Sequence, residues 1–172
     1  MIRTSRLSIR RIVGSDWQAA QRIWADFSLS EYAQYDTPHP TDDESVRARI
    51  ARWAQYAESM EHMFFAVCLE GEMIGYIAFN ARETGHEIGY CFHSSAHGKG
   101  YAKEAHLALF GHMCAQGFTH FIVRTALANL PSVRLLAALG FRQTGGEKVS
   151  FYKDAEGKDI VFDGGMFELD IG

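Results

Sequence analysis

Three apolar runs in the middle of the chain, separated only by brief polar turns, predict an antiparallel β-meander. The runs cover residues 64–69, 73–80 and 86–92. A Glu-Gly-Glu turn separates the first two runs, and a polar turn ending at Gly85 separates the last two. Connections this short join antiparallel neighbours, because a parallel crossover needs roughly a dozen residues or more. We therefore expect part of a β-sheet at the centre of the sequence.

Helix-boundary residues predict two helices before this meander. Ser15-x-x-Gln18 has the spacing of a capping box and predicts a helix over about residues 16–27. Thr41-x-x-Glu44 has the same spacing and predicts a second helix. Apolar residues recur at helical spacing in both segments, so each helix has one face to bury.

Two more helices and the remaining strands follow from periodicity and glycine stops. A central helix is predicted over residues 99–116, with Gly117 at the usual C-terminal position, and another over 131–139, stopped by Gly140. Further strands are predicted at residues 7–11, 121–125, around Phe151 and over 160–169. The resulting order, βαα-βββ-α-β-α-ββ, predicts an α/β (α+β) fold with a mixed sheet and helices on both faces.

The composition favours a single domain and excludes two classes of partner. The chain has 172 residues and a net charge of −4, and its Lys and Arg residues are dispersed, which predicts no nucleic-acid or membrane partner. Three cysteines without CxxC spacing suit a reducing compartment. No apolar stretch reaches the roughly 18 residues of a membrane span. We expect one cytoplasmic domain over residues 1–172, as a monomer or homodimer.

A glycine-rich turn before the central helix carries the main chemical signal. Its residues are His97, Gly98, Lys99, Gly100, Tyr101 and Ala102. The first amides of a helix lack intrahelical acceptors and lie at the positive end of its dipole, so they favour a phosphate. An ordinary turn before a helix can contain the same glycines, so the turn alone does not identify a phosphate site. A P-loop is excluded because Gly100 follows Lys99 where Ser or Thr is required, and no third glycine completes G-x-G-x-x-G.

A second stretch, residues 129–141, has the pattern N-x-x-S-x-x-L-L-x-x-L-G-F. Together with the Q/R-x-x-G-x-G/A signature of the glycine turn, it resembles the GNAT superfamily of N-acetyltransferases, and especially the ribosomal-protein N-terminal acetyltransferase branch. The resemblance extends to T-x-R-L-x-I-R-R at residues 4–11 and to the strand at residues 75–79. Two positions depart from the family pattern. His97 replaces Gln or Arg, and Leu136 replaces a tyrosine thought to reprotonate the thiolate in many members.

The resemblance implies a GNAT-type, mostly antiparallel sheet of six to seven strands that binds acetyl-CoA as co-substrate. The glycine turn would hold the pyrophosphate. The pantetheine arm would pair with the strand at Tyr90, Cys91 and Phe92, and Asn129 and Ser132 would contact the cofactor. An N-cap asparagine and a first-turn serine are also common structural residues, so both interpretations stay open at these two positions.

For catalysis, the resemblance implies direct attack of an amine on the thioester. Glu87 is the candidate base, acting through a water, and Ser132 is a candidate donor to the sulfur. A strand-edge ion pair of Glu87 with Arg82 or Lys99 is the alternative. His86, His93 and Tyr152 remain rival acids or bases.

The acceptor is expected to be a primary amine, either a protein N-terminus or a small molecule. In this superfamily the early helices and the C-terminal hairpin frame the acceptor cleft, and acidic residues such as Glu31 and Asp36 would favour a cation there. No metal is expected, because Tyr90 occupies the last position of an incomplete H-E-x-x-H motif that begins at His86. A non-catalytic acyl-CoA sensor is the alternative function.

Overall fold

A computed structural model describes all residues, 1–172, and contains one sheet of eight strands and four helices. The elements are β1 (Ile2–Arg3), β2 (Leu7–Arg11), α1 (Trp17–Ser28), α2 (Asp43–Ala54), β3 (His62–Leu69), β4 (Glu72–Ala81), β5 (His86–Phe92), α3 (Tyr101–Cys114), β6 (His120–Ala126), α4 (Leu130–Leu139), β7 (Arg142–Lys153) and β8 (Asp159–Asp170). Three short 3-10 helices cover Gly14–Asp16, Glu31–Tyr35 and Ser94–Ala96. None of the four α-helices has the length and apolar character needed to cross a membrane.

The predicted mixed α/β architecture and element order are confirmed, with one strand more than expected. The sheet order is β1-β2-β3-β4-β5-β6-β8-β7. The eighth strand is β1, which pairs through Ile2 and Arg3 alone and is too short to produce a periodic signal. Every neighbouring pair is antiparallel except β5 and β6.

The parallel contact between β5 and β6 opens the sheet. Only His86↔Phe121 and Glu87↔Ile122 are paired. Beyond Glu87, β5 remains paired with β4 along its other edge as far as Phe92. The edge of β5 that faces β6 therefore carries backbone groups without a strand partner.

The helices bury one apolar core on each face of the sheet. On one face, α3 and α4 cover a core that includes Leu109, Phe121 and Leu136. On the other, α1 and α2 cover a smaller core around Trp24, whose indole Nε1 donates to the Tyr76 hydroxyl at 3.1 Å. Pairing the buried indole with this hydroxyl removes the cost of an unsatisfied polar group.

Both predicted capping boxes are wrong by one residue or more. Ser15 lies inside the 3-10 helix that precedes α1. The N-cap of α2 is Asp42, whose Oδ1 accepts from the Ser45 N–H at 2.9 Å, and Thr41 precedes it. At α2 the neighbouring aspartate caps the helix, because its carboxylate is a strong acceptor for free backbone N–H groups. At α1 Asp16 occupies the N-cap position, but its carboxylate bonds Arg10 and the Val13 N–H rather than the amides of α1.

Asp16 joins β2 to the start of α1 through a largely buried ion pair. Its carboxylate accepts from Arg10 Nη1 at 2.7 Å, Arg10 Nη2 at 2.8 Å and the Val13 N–H at 2.9 Å. Burial alone would raise the pKa of Asp16, but the hydrogen bonds from Arg10 and Val13 outweigh it and lower the pKa. The ionised carboxylate is therefore the form that stabilises the fold.

Asp16→Ala is expected to lower the free energy of unfolding at neutral pH by about 3 kcal/mol, because Arg10 loses its partner in a mostly buried site. The pKa of Asp16 is lower in the folded than in the unfolded protein, so the stabilisation by Asp16 is fully present at pH values above the unfolded pKa. It is lost as pH falls through the folded pKa. Urea unfolding of both proteins across that range measures the difference. Asp159→Asn, which removes the exposed pair with Lys153, is the control, and an equal loss in both variants would contradict the assignment.

Candidate active site

A cleft of about 1440 Å³ lies where β5 and β6 diverge. It exceeds the usual volume of a small-ligand pocket, roughly 300–1,000 Å³. Eleven of the predicted site residues line it: Glu87, Tyr90, Cys91, Phe92, His97, Gly98, Gly100, Tyr101, Ala102, Asn129 and Ser132. Lys99 is the predicted residue that does not line the cleft, whereas Lys103 does.

The glycine turn presents the N-terminus of α3 to this cleft. Gly98 and Gly100 have φ values of 72° and 79°, the left-handed region that glycine adopts without strain. Gly100 is the N-cap and has no side chain to bond the first-turn amides. The N–H groups of Tyr101, Ala102 and Lys103 have no intrahelical acceptors and are available to an anion. His97 secures the turn, because its Nε2 lies 2.9 Å from the Phe92 carbonyl oxygen.

Arg6, near the start of the chain, holds the glycine turn in place through hydrogen bonds. No role was assigned to it from the sequence. Its Nη1 donates to the Lys99 carbonyl at 2.9 Å, and its Nη2 lies 2.6 Å from Glu104 Oε2. Its guanidinium also lies 4.6 Å from the centre of the Tyr101 ring. Hydrogen bonds from Thr4 first, and then from Arg6, lower the pKa of Glu104. The only signal was the T-x-R-L match at the start of the chain.

Along β5, side chains alternate between the two faces of the opened sheet. Tyr90 and Phe92 pack against the core under α3 and α4, whereas Cys91 packs against the core under α1 and α2. Burial, followed by the charges of Asp36 and Asp26, raises the pKa of Cys91 to about 12, so this thiol stays protonated at neutral pH. Gly89, the residue before Tyr90, leaves open space above the strand, since nothing lies within 4 Å of where a Cβ would be.

The N-terminus of α4 places the Ser132 hydroxyl beside the Tyr90 hydroxyl at the opening. Asn129 is the N-cap, and its Oδ1 accepts from the Ser132 N–H at 3.3 Å. The Ser132 Oγ lies 2.6 Å from the Tyr90 hydroxyl. Leu136, one turn further along, is fully buried in the apolar core. No hydroxyl therefore comes from that position of α4.

Glu87 lies at the last paired position of β5 and β6 and is held by two cations. Arg82 Nε donates to its Oε2 at 2.7 Å, and Arg124 Nη1 lies 3.8 Å from its Oε1. The predicted pair with Arg82 is therefore present, the one with Lys99 is not, and Arg124 was not foreseen. A base at this position would work beside two guanidinium groups rather than in an apolar pocket.

The rival acids and bases lie elsewhere. His86 is buried, with its Nε2 3.2 Å from the Met60 carbonyl oxygen. The His93 side chain accepts from the Ser95 N–H and lies 3.8 Å from Asp26. Neither histidine lines the cleft, and Tyr152 does not line it either. No group of three or more His, Cys, Asp and Glu side chains is arranged to hold a metal ion.

The side of the cleft opposite α3 is aromatic and acidic. Tyr35, in the 3-10 helix after α1, packs edge-on against Phe162 of β8 with ring centres 5.2 Å apart. Further lining residues here are Phe27, Tyr32 and Phe151, and the acidic ones are Glu31, Asp36 and Glu147. Asp26 also lines the cleft, but its carboxylate accepts from the N–H and Oγ of Ser94, just before the glycine turn. The two tryptophans Trp24 and Trp53 of the early helices do not line the cleft, because Trp24 is buried in the core and Trp53 packs against it.

Comparisons with known proteins agree with this geometry. The family described as Acetyltransferase (GNAT) domain matches residues 6–142. An uncharacterized N-acetyltransferase of Bacillus subtilis, YnaD, is 30% identical over 149 residues, 84% of this chain and 84% of the relative. The acetyltransferase of Salmonella typhimurium that modifies the N-terminal serine of ribosomal protein L7/L12 superposes with a TM-score of 0.84 at 20% identity, covering 98% and 97% of the two chains. A structure of RimL, a ribosomal L7/L12 α-N-protein acetyltransferase, in complex with coenzyme A has a TM-score of 0.82 at 20% identity, covering 98% and 96%.

Proposed function

The chain belongs to the GNAT acetyltransferase family, and we propose that it transfers an acetyl group from acetyl-CoA to a primary amine, with the whole chain acting as one cytoplasmic domain. The observation that carries this proposal is that one cleft contains the free N-terminus of α3, the unpaired edge of β5 and the Tyr90–Ser132 hydroxyl pair. An anion site, an extended hydrogen-bonding edge and a hydroxyl donor suit the pyrophosphate, the pantetheine amides and the sulfur of one elongated ligand.

The donor-binding residues follow from this arrangement. The backbone from Gly98 to Lys103 binds the pyrophosphate, with positive charge from Lys103 and the α3 dipole. Lys99 itself does not line the cleft, and its carbonyl instead accepts from Arg6 Nη1. Tyr90, Cys91 and Phe92 offer backbone groups to the pantetheine arm, and Asn129 offers its side-chain amide. Acetyl-CoA supplies an activated thioester carbonyl at the open space above Gly89.

Two side chains of the protein serve the chemistry in this proposal. Glu87 accepts a proton from the attacking amine through a water, since it lies on β5 two residues before Gly89 and lines the same cleft. Ser132 donates a hydrogen bond to the sulfur as the carbon–sulfur bond breaks. The remaining residues hold the two reactants in position, which by itself lowers the barrier.

The acceptor enters between the 3-10 helix Glu31–Tyr35 and the β7–β8 hairpin. Glu31, Asp36 and Glu147 supply negative charge there, which attracts a protonated amine from solution. Aromatic rings on both sides offer contact area to whatever is attached to the amine. A protein N-terminus, as in the Salmonella enzyme, and a small-molecule amine both satisfy these features.

Two measurements test the proposed function. Acetyl-CoA and CoA should raise the melting temperature in a concentration-dependent way, because they bind only the folded state, whereas ATP and NAD should not. Thiol release from acetyl-CoA, screened against small amines and peptides with free N-termini, should show turnover with at least one acceptor. Stabilisation by ATP or NAD alone would contradict the donor assignment, and binding of acetyl-CoA without any turnover would indicate the sensor function.

A further inference from the structure

The Tyr90–Ser132 contact joins two elements that are distant in sequence at the mouth of the opened sheet. Tyr90 lies on β5 and Ser132 on α4, and their hydroxyl oxygens are 2.6 Å apart. Both residues line the cleft. The distance is at the short end for a hydrogen bond between two hydroxyl groups, which indicates a strong one.

The chemistry of the two hydroxyl groups indicates the direction of this contact. Ser132 Oγ is the one partner of the Tyr90 hydroxyl within hydrogen-bonding distance. A phenol is more acidic than an alkyl alcohol and is therefore the stronger donor, whereas the serine oxygen is the better acceptor. If Tyr90 donates, the single proton of Ser132 points away from Tyr90. This arrangement leaves the serine proton free for a ligand in the cleft.

We propose that Tyr90 is a positioning residue for acetyl transfer, which donates to Ser132 and thereby directs the Ser132 hydroxyl proton at the sulfur of the leaving group. This inference rests on the proposed function. In the step, the amine nitrogen forms a bond to the acetyl carbon, the carbon–sulfur bond breaks, and the electron pair of that bond stays on sulfur. The amine proton leaves to the base, and the sulfur receives hydrogen-bond stabilisation from Ser132 before it takes a proton from solvent.

The surroundings keep the Tyr90 hydroxyl protonated and fixed in place. Burial raises the pKa of Tyr90 to about 12, even though the hydrogen bond with Ser132 lowers it, so the hydroxyl remains a donor at neutral pH. The ring packs edge-on against His106, with ring centres 4.8 Å apart. Burial lowers the pKa of His106 to about 4, so this neighbour is neutral. His106 Nδ1 lies 2.7 Å from the Ala102 carbonyl oxygen, which connects the Tyr90 ring to the first turn of α3.

The direct test is the ionisation of the CoA thiol in its complex with the protein. CoA labelled with carbon-13 next to the sulfur is titrated by NMR in complex with the wild type, Tyr90→Phe and Ser132→Ala. A donor aimed at the thiolate lowers the pKa of the bound thiol below that of free CoA. We expect Tyr90→Phe to move the titration back toward the free value by about one pH unit. We expect kcat to fall by about tenfold with little change in KM for acetyl-CoA.

Two further variants separate positioning from stability. Tyr76→Phe removes another buried tyrosine hydroxyl, bonded to Trp24 and outside the cleft, so it should lower the melting temperature without moving the thiol titration. The double variant Tyr90→Phe/Ser132→Ala should match Ser132→Ala alone, because Tyr90 acts through Ser132.

An unshifted titration in Tyr90→Phe, or additive effects in the double variant, would overturn the inference. Normal titrations without any acetyl transfer would overturn the proposed function alone, and failure of CoA to bind the wild type would overturn both.

Discussion

Gly100→Val is expected to weaken acetyl-CoA binding by about 100-fold, the largest effect of any single substitution on the donor. Gly100 is the N-cap of α3 at φ 79°, where a β-branched residue is strained. Moving this backbone out of position would misdirect the first-turn amides. Losing two charge-assisted hydrogen bonds at about 1.5 kcal/mol each, the lower end of their usual range, accounts for a change of this size. Calorimetric titration of both proteins with acetyl-CoA measures it.

Gly157→Val provides a matched control for backbone strain. Gly157 has nearly the same φ, 78°, but lies in the turn between β7 and β8 and does not line the cleft. Valine there should lower the melting temperature while leaving the acetyl-CoA dissociation constant within about twofold. If both valine variants bound acetyl-CoA equally well, the pyrophosphate would not lie on the α3 N-terminus.

The central strands were predictable because each one is an apolar run bounded by a short turn. The run predicted at residues 86–92 coincides with β5, and those at 64–69 and 73–80 fall inside β3 and β4. The final hairpin was harder, because β7 is mostly exposed and Gly145 and Gly146 interrupt its pattern. Its prediction was limited to the region of Phe151, whereas the strand spans Arg142–Lys153. The start of α2 was displaced because Thr41 and Asp42 are adjacent and either could cap the same amides. At α1 a short 3-10 helix precedes the α-helix, which the capping pattern does not reveal.

The candidate site was predictable where its residues fall in contiguous motifs. The glycine turn, except for Lys99, and the first part of residues 129–141 line the cleft, because each motif sits at the end of a regular element. Contacts between distant parts of the chain gave no sequence signal. Arg6 meets Lys99, Tyr90 meets Ser132, and Arg124 meets Glu87 only because the sheet order brings them together. Single-sequence patterns encode local periodicity and do not encode these pairings.

Glu87→Gln is expected to lower kcat by about 100-fold with little change in acetyl-CoA affinity. The substitution keeps the size of the side chain and removes a proton acceptor, and positioned general bases contribute roughly 10²–10⁴-fold. Donor affinity should persist because the contacts proposed for the pyrophosphate and pantetheine come from β5 backbone, α3 and α4 rather than from this carboxylate. Steady-state kinetics with the best acceptor from the amine screen, together with calorimetric titration of acetyl-CoA, measure both quantities.

The two arginines around Glu87 supply the test that separates a base from a structural ion pair. If the carboxylate only neutralises Arg82 and Arg124, then Glu87→Gln harms the enzyme by leaving their positive charges uncompensated in the cleft. Removing one of them in the double variant Glu87→Gln/Arg82→Gln should then restore activity. If Glu87 accepts the proton of the amine, removing a positive charge cannot replace that function. The double variant then stays as slow as Glu87→Gln. We expect the second result, because the open space above Gly89 lies on the strand that carries Glu87, two residues away.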